Sequence, residues 1–318
     1  MPWESAAFVL IGLAGLFWGG NWLVKGAGRL AASFGVSALV IGLTVVAFGT
    51  SLPELLVSLN AALDGVSDIA IGNVIGSNIA NIGLIVGLTA LVFPIPVKVE
   101  LIRRELPIML AVSALLALLI LDAEISATDG LIFVTGALAY VIFSYVMAMR
   151  EKAARKVITE FEEVEIGADP PNRLFEVGRL VVGIVVLLIG ADRLVEGAVS
   201  IATALGVPQV VIGLTLVAVG TSLPELATSF VASIHRDNDI AIGNVIGSNI
   251  FNILVILGIT ALVKPIPVEP RLIQVELIVM LSFSLVLFVL VLDKKVTRWQ
   301  GGLLLAAYLT FMILTFVG

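Results

Sequence analysis

The stretch VSALVIGLTVVAFGTSLPE at residues 36–54 occurs again, little changed, as VPQVVIGLTLVAVGTSLPE at residues 207–225. A second pair follows at the same spacing of 171 residues, since DIAIGNVIGSNIANIGLIVGLTALVFPIPV at 68–97 matches DIAIGNVIGSNIFNILVILGITALVKPIPV at 239–268. No gap is needed to align the two copies. The chain is therefore an internal duplication, and each half carries both motifs.

Composition places this duplicated chain in a membrane. Of its 318 residues, 59% are hydrophobic and 13% are charged, and the mean hydropathy is +1.14. These values lie well outside the range of soluble globular proteins. The apolar segments have the roughly 20 residues that a helix needs to cross the hydrocarbon, and they lack the alternation of short barrel strands. We therefore predict an all-α integral membrane protein.

Ten transmembrane helices are predicted, five in each repeat. An odd number of spans makes the second repeat enter the membrane from the opposite side, and inverted repeats of this kind are typical of secondary transporters. The predicted organisation is a first five-helix repeat at 1–149, a cytoplasmic linker at 150–178 and a second five-helix repeat at 179–318. The predicted spans are 5–30, 37–62, 69–93, 104–121, 128–149, 179–203, 208–233, 240–263, 273–292 and 299–317.

The distribution of Lys and Arg predicts the orientation. With the N-terminus outside the cytoplasm, 15 of the 18 basic residues lie at cytoplasmic ends and loops, and only Arg193, Lys264 and Arg271 lie outside. This bias follows the positive-inside rule. We therefore expect a multi-pass cell-membrane protein with both termini extracytoplasmic, and we expect the N-terminal apolar run to remain as the first helix, not to be cleaved as a signal.

Several classes of function conflict with the composition. The chain has no cysteine, which removes disulfides, thiolate chemistry and soft-metal sites. Its net charge of −6 comes mostly from loops and gives no sign of a nucleic-acid surface. The single histidine, His235, lies in a short polar loop and is interpreted as a surface residue. An intramembrane hydrolase would need a nucleophile with a base or a metal, and the spans offer neither His nor Cys, so the protein is not predicted to be an enzyme.

Two acids lie inside apolar spans, Glu54 and Glu225, each at the end of a GTSLPE motif. A charge at the bilayer centre costs about 2.5–3.5 kcal/mol even on the mildest insertion scales, so an intramembrane acid is a candidate functional residue. On a helix, hydroxyls three and four residues before each acid share its face. These hydroxyls belong to Thr50, Ser51, Thr221 and Ser222.

The next span of each repeat adds a polar stripe with four-residue spacing. In the first repeat the stripe is Asn73, Ser77 and Asn81, and in the second it is Asn244, Ser248 and Asn252. Asn73 and Asn244 fit a packing role as well as a binding role. The glycines of the same spans fit close helix packing better than binding.

Proline gives the GTSLPE motif a second property. Pro53 and Pro224 cannot donate to the carbonyls of Gly49 and Gly220, and their rings disturb the preceding turn. We expect carbonyls near Ala47 and Ala218 to be freed as a result. Neutral oxygens with a few carboxylates suit hard cations such as Ca2+ and Na+, and the lack of sulfur or imidazole in these spans disfavours zinc and copper.

With these motifs in place, the chain resembles the Na+/Ca2+ exchanger family of the cation/Ca2+ exchanger superfamily, prokaryotic type with two α-repeats. The resemblance implies antiport of Ca2+ against Na+, with Glu54 and Glu225 as shared carboxylates at a midplane site. It also implies alternating access by sliding of the first and sixth spans. The remaining site residues that it implies are Thr50, Ser51, Thr221, Ser222, Ala47, Ala218, Ser77, Asn81, Ser248 and Asn252.

Alternatives within the superfamily remain at this stage. Several relatives, including the K+-dependent branch, have Asp where this chain has Asn252, so the resemblance favours a K+-independent, electrogenic exchanger. Ca2+/H+ antiporters place an acid after a GNA motif, whereas this chain reads GNV without one. A channel would share the oxygen ligands, but inverted repeats favour alternating access. No cofactor and no protein partner are implied beyond the transported Ca2+ and Na+ and the lipid bilayer.

Overall fold

The structure is a computed structural model that describes residues 2–159, 172–206 and 218–317. Sixteen α-helices make up most of these ranges. They are α1 Pro2–Phe34, α2 Ala38–Ile41, α3 Ala47–Thr50, α4 Leu52–Leu63, α5 Ser67–Ala80, α6 Gly87–Val92, α7 Leu106–Leu119, α8 Ala127–Thr159, α9 Arg173–Ala204, α10 Ala218–Thr221, α11 Leu223–Ile234, α12 Asn238–Phe251, α13 Gly258–Val263, α14 Pro270–Gln274, α15 Glu276–Leu290 and α16 Arg298–Val317.

Short segments of other geometry join several of these helices. Four π-helical stretches lie at Gly42–Val46, Asn81–Val86, Leu101–Glu105 and Asn252–Leu257. Four two-residue strands are β1 Ile95–Pro96, β2 Glu124–Ile125, β3 Ile266–Pro267 and β4 Lys295–Val296. The prediction of an all-helical membrane protein therefore holds for its main elements, and the small strands were not predicted.

Seven helical segments in the described ranges are long and apolar enough to cross a membrane. The broken segment from α2 to α4, bent by 43°, makes an eighth. The seventh predicted span, 208–233, begins outside the described residues, and α11 covers its end. The tenth predicted span coincides with α16. In the predicted linker, α8 continues to Thr159 and α9 begins at Arg173, and residues 160–171 lie outside the described part of the chain.

The internal repeat is visible in the element boundaries. Equivalent helices such as α4 and α11, or α5 and α12, begin and end 171 residues apart. The strands pair between the halves, because β1 is antiparallel to β4 and β2 is antiparallel to β3. Exchanging the two halves converts one pairing into the other, so the halves are related by a local two-fold axis.

The second motif of each repeat forms the centre of the molecule. In an 18-residue apolar window of Ser67–Val92 and of Asn238–Val263, 78% and 83% of the residues are buried, whereas the share in the other five continuous spans is 28–39%. Burial on all sides explains why these two segments are apolar around most of their circumference, apart from the polar stripe that each carries. The polar stripes of the repeat therefore lie at the core and not at the lipid surface.

The first helices of the two repeats, α1 and α9, pack against each other at backbone contact. A Cβ added at Gly15 would lie 2.9 Å from the Gly190 Cα, and one added at Gly183 would lie 2.6 Å from the Leu23 backbone nitrogen. Only glycine permits this approach, as in other membrane helix pairs with small residues. The contact joins α1 and α9 into one paired unit.

Candidate cation site

The two intramembrane acids begin the helices that follow the breaks. Each GTSLPE motif bends at its serine, since Ser51 has φ −85° and ψ 9° and Ser222 has φ −88° and ψ 4°. Glu54 and Glu225 then lie in the first turns of α4 and α11, where helix dipoles favour negative charge. Each of the two side chains is only 1% exposed.

The serines of the two motifs cross between the halves. Ser51 Oγ donates to Glu225 Oε1 at 2.9 Å, and Ser222 Oγ donates to Glu54 Oε1 at 3.4 Å. These two contacts are equivalent under the local two-fold axis. The structure therefore places both acids in one polar centre that both repeats build.

Neither acid is neutralised within the described residues. The Oε2 atoms of Glu54 and Glu225 are buried and have no hydrogen-bond partner there, and the ion pairs of the described residues involve other acids. A buried carboxylate without a partner is costly. Two such carboxylates in one polar centre favour binding of a cation from solution.

Three further unpaired oxygens belong to the polar stripes. Asn81 Oδ1, Asn252 Oδ1 and Ser248 Oγ are buried without partners among the described residues. With the two Oε2 atoms they make five of the 11 unpaired buried side-chain atoms found there. We call Glu54, Glu225, Asn81, Asn252 and Ser248 the oxygen cage. Ser77, the counterpart of Ser248, is 4% exposed on the same helix face as Asn81.

The threonine and alanine positions differ in part from expectation. The Ala47 carbonyl is not freed, because it accepts the Ser51 backbone N–H at 3.1 Å and the Thr50 Oγ1 at 3.3 Å. Pro53 lacks only its own backbone N–H, and the N–H of Ser51 still closes the turn that begins at Ala47. In the second repeat the corresponding N–H, of Ser222, donates to the Val219 carbonyl at 3.1 Å. The structure shows no more of Ala218 than its place at the start of α10, and Thr221 ends that helix half-buried.

Asn73 and Asn244 hold helices together at the edge of the site. Asn73 Nδ2 donates to the Glu54 carbonyl at 3.1 Å and to Ser58 Oγ at 2.9 Å. Asn244 Nδ2 makes the equivalent contacts to the Glu225 carbonyl and to Ser229 Oγ at 3.3 and 3.1 Å. Their amides therefore fasten α4 and α11 to the central helices, which is the packing alternative considered from the sequence.

Two buried asparagines were not predicted as site residues. Asn252 Nδ2 donates to Asn78 Oδ1 at 3.0 Å, and Asn81 Nδ2 donates to Asn249 Oδ1 at 2.9 Å. Asn78 and Asn249 follow Ser77 and Ser248 directly in the GNVIGSN motif. A duplicated asparagine inside an apolar span was the signal that could have identified them.

The donor set selects the kind of cation. The described residues contain no group of three or more His, Cys, Asp and Glu side chains arranged to hold a metal ion. A cation at this centre would meet two carboxylates together with amide and hydroxyl oxygens. Hard cations such as Ca2+ and Na+ prefer such ligands, whereas zinc and copper prefer nitrogen or sulfur.

This architecture, two matching halves around a buried polar core, defines a multi-pass membrane protein of the secondary ion transporter class. The family model for the sodium/calcium exchanger protein matches residues 4–146 and 175–317, two segments displaced by one repeat. The chain belongs to this family.

Individual relatives agree with the family assignment. The chain is 37% identical to sodium/calcium exchanger MaX1 of Methanosarcina acetivorans, over 97% of each chain. It is 36% identical to the solved structure of the sodium-calcium exchanger NCX_Mj, with a TM-score of 0.84 and 98% of each chain covered. The human sodium/potassium/calcium exchanger 2 is 28% identical over 44% of this chain and 22% of its own length.

Proposed function

We propose that the protein exchanges Na+ for Ca2+ across the membrane at the oxygen cage. The observation that carries this proposal is the pair of buried, unpaired oxygens, Glu54 Oε2 and Glu225 Oε2. Two negative charges in a low-dielectric centre attract one divalent or two monovalent cations strongly, and both ions cannot occupy the same oxygens at once. Competition for one charged centre is the physical basis of antiport. Thr50, Ser51, Thr221, Ser222 and Ser77 complete the proposed site, with the carbonyl of Ala218.

The proposed topology has ten spans in two inverted five-helix repeats. The local two-fold relation and the odd number of spans per repeat support this arrangement, because they require the axis to lie in the membrane plane. The linker at 150–178 is cytoplasmic and both termini are extracytoplasmic in this proposal, as the positive-inside rule requires. The cage then lies near the midplane, where the halves meet.

Alternating access in this proposal involves the α1–α9 pair. These helices pack closely against each other and contribute no residue to the cage. A tightly joined pair outside the site can slide as one body along the central helices and expose the cage to one side at a time. Gly49 and Gly220 lie against the surface of α9 along which the pair would slide. A Cβ added at Gly49 would lie 2.5 Å from the Ile184 side chain, and one added at Gly220 would lie 2.6 Å from the Val195 side chain.

Two charges and two asparagines support an electrogenic, K+-independent cycle. The cage amides of Asn81 and Asn252 leave Glu54 and Glu225 as its only carboxylates among the described residues. The alternative is a Ca2+/H+ antiporter or a K+-dependent exchanger. Measuring which ion drives Ca2+ transport, Na+, H+ or Na+ with K+, distinguishes the three.

Ion-specific counterflow tests the proposal. Purified protein in liposomes loaded with Na+ is expected to take up 45Ca2+ when the outside lacks Na+. An equal proton gradient without Na+ is not expected to drive uptake, and K+ is not expected to be required. Uptake driven by protons instead of Na+ would replace this proposal with the Ca2+/H+ alternative.

A further inference from the structure

We propose that Asn78 and Asn249 are positioning residues that turn the carbonyl oxygens of Asn252 and Asn81 toward the transported cation. The inference rests on the proposed function and adds two residues to its machinery. Neither residue is proposed as a ligand. Each acts on a cage residue that belongs to the other repeat.

The need for such residues comes from the chemistry of the amide group. A carboxylate presents an oxygen to a cation whichever way it turns. An asparagine presents either its oxygen or its NH2 group, which has nearly the same size and repels a cation. A cage that uses asparagine in place of aspartate therefore needs an acceptor that holds the NH2 group away from the ion.

Asn78 supplies this acceptor, and a backbone group fixes its own orientation. The main-chain carbonyl of Asn249 can only accept, and the Asn78 Nδ2 donates to it at 3.3 Å. The Asn78 Oδ1 is thereby turned to accept the Asn252 Nδ2 at 3.0 Å. Because the Asn252 Nδ2 is held by Asn78, the Asn252 Oδ1 points away from Asn78, and it is one of the buried oxygens without a partner among the described residues. The Asn249 carbonyl therefore sets the orientation of the Asn78 amide, and the Asn78 amide sets that of the Asn252 amide.

The equivalent contacts between Asn249 and Asn81 are fixed less firmly. Asn81 Nδ2 donates to Asn249 Oδ1 at 2.9 Å, and Asn249 Nδ2 lies 3.7 Å from the Met109 sulfur, a weak acceptor. All four asparagines are 1% exposed, so bulk water does not compete for their amides. The structure thus gives both cage amides a fixed orientation, and Asn78 has the firmer anchor.

A double-mutant cycle at Asn78 and Asn252 tests the inference. In Asn78→Ala the Asn252 amide can turn its NH2 group toward the cage, so the KM for Ca2+ in Na+-driven 45Ca2+ uptake should rise roughly tenfold or more, as for loss of one hydrogen-bonding oxygen at a charge. In an Asn252→Asp background, Asn78→Ala should change that KM by less than about threefold, because a carboxylate needs no orientation. Asn60→Ala, at an exposed asparagine of α4, is the matched control and should leave KM unchanged.

The cycle separates positioning from packing. An equal rise in KM in both backgrounds, or no rise in either, would overturn the inference, since a lost packing contact costs the same whatever stands at position 252. If Asn78→Ala does not fold, Asn249→Ala in the native and Asn81→Asp backgrounds tests the mirrored contacts by the same criteria.

A binding measurement distinguishes this inference from the proposed function. Ca2+ should raise the melting temperature of the detergent-purified wild-type protein, and Asn78→Ala should need a Ca2+ concentration higher by the same fold as its KM. A wild-type protein that shows neither Ca2+ stabilisation nor exchange contradicts the proposed function. A wild-type protein that shows both, with Asn78→Ala unchanged, contradicts only the role of Asn78.

Discussion

Four glutamates are buried in the described residues, and their partners divide them into two kinds. Glu105 pairs with Arg104 at 2.6 Å and accepts from Tyr140 at 3.1 Å, and Glu176 lies 2.9 Å from Arg179. Glu54 accepts from Ser222 and Glu225 accepts from Ser51, neither has a basic partner among the described residues, and each keeps an Oε2 atom without a hydrogen-bond partner there. The first two acids are structurally satisfied, whereas the last two need a cation to be so.

The substitution Glu54→Gln tests this distinction. It removes half of the cage charge, so Ca2+ transport should fall at least about 30-fold, in line with the roughly 2–5 kcal/mol lost when one partner of a buried charge pair is truncated. The ion-free protein should melt at the same or a higher temperature, because an unpaired buried charge is gone. Parallel 45Ca2+ flux and melting assays check both, with Glu225→Gln as the symmetric variant. Near wild-type flux in either variant would remove that acid from the site.

The residues of the site were accessible from the sequence to different degrees. Glu54 and Glu225 stand out because acids are rare in apolar spans. The bond from Ser51 to Glu225 joins positions 174 apart and depends on how the halves pack, which local spacing does not encode. Asn78 was missed because strict four-residue spacing selects Ser77 and Asn81, whereas a π-helical stretch beginning at Asn81 changes which side chains share a face.

At the scale of elements, the break in each GTSLPE span places each acid in the first turn of a new helix. A straight helix from 37 to 62 would place Glu54 within a continuous hydrogen-bonded ladder. The 43° bend at Ser51 instead gives α4 a new N-terminus, with Pro53 in its first turn, where its missing N–H costs nothing. The proline predicted the break, but the π-helical stretch before it, Gly42–Val46, has no sequence signal that we recognise.

The two strand pairs give an element-scale test of the proposed inversion. Glu124 and Lys295 are exposed equivalent positions, 171 residues apart, in β2 and β4. Inverted repeats place them on opposite sides of the membrane, so a cysteine at position 124 should react with a membrane-impermeant maleimide only from outside, and one at 295 only from the cytoplasm. The native chain has no cysteine and provides a clean background. Labelling of both from the same side would contradict the inversion.

At the scale of the whole molecule, the two carboxylates and two asparagines of the oxygen cage obey the local two-fold symmetry. The ends of the α1–α9 pair do not. Arg29 meets Glu176 at 3.3 Å near one end. The equivalent positions near the other end hold Ser200 and Ser5, whose hydroxyls lie 2.7 Å apart. Duplication therefore predicts the symmetric core well, because both copies keep its motifs. It predicts the ends of the α1–α9 pair poorly, because the two copies carry different residues there.

Charge balance across the whole molecule gives the last prediction. With only Glu54 and Glu225 ionised, one Ca2+ or two Na+ neutralise the cage, so exchange of more than two Na+ per Ca2+ moves positive charge with the Na+. In Na+-loaded liposomes that charge leaves as Ca2+ enters. An inside-negative potential set by K+ and valinomycin should therefore slow initial 45Ca2+ uptake, and an inside-positive potential should speed it. With the voltage held at zero by a protonophore at equal pH on both sides, replacing K+ by choline should have no effect. Uptake that ignores the potential would indicate electroneutral exchange, and uptake that requires K+ would place the protein among K+-dependent exchangers.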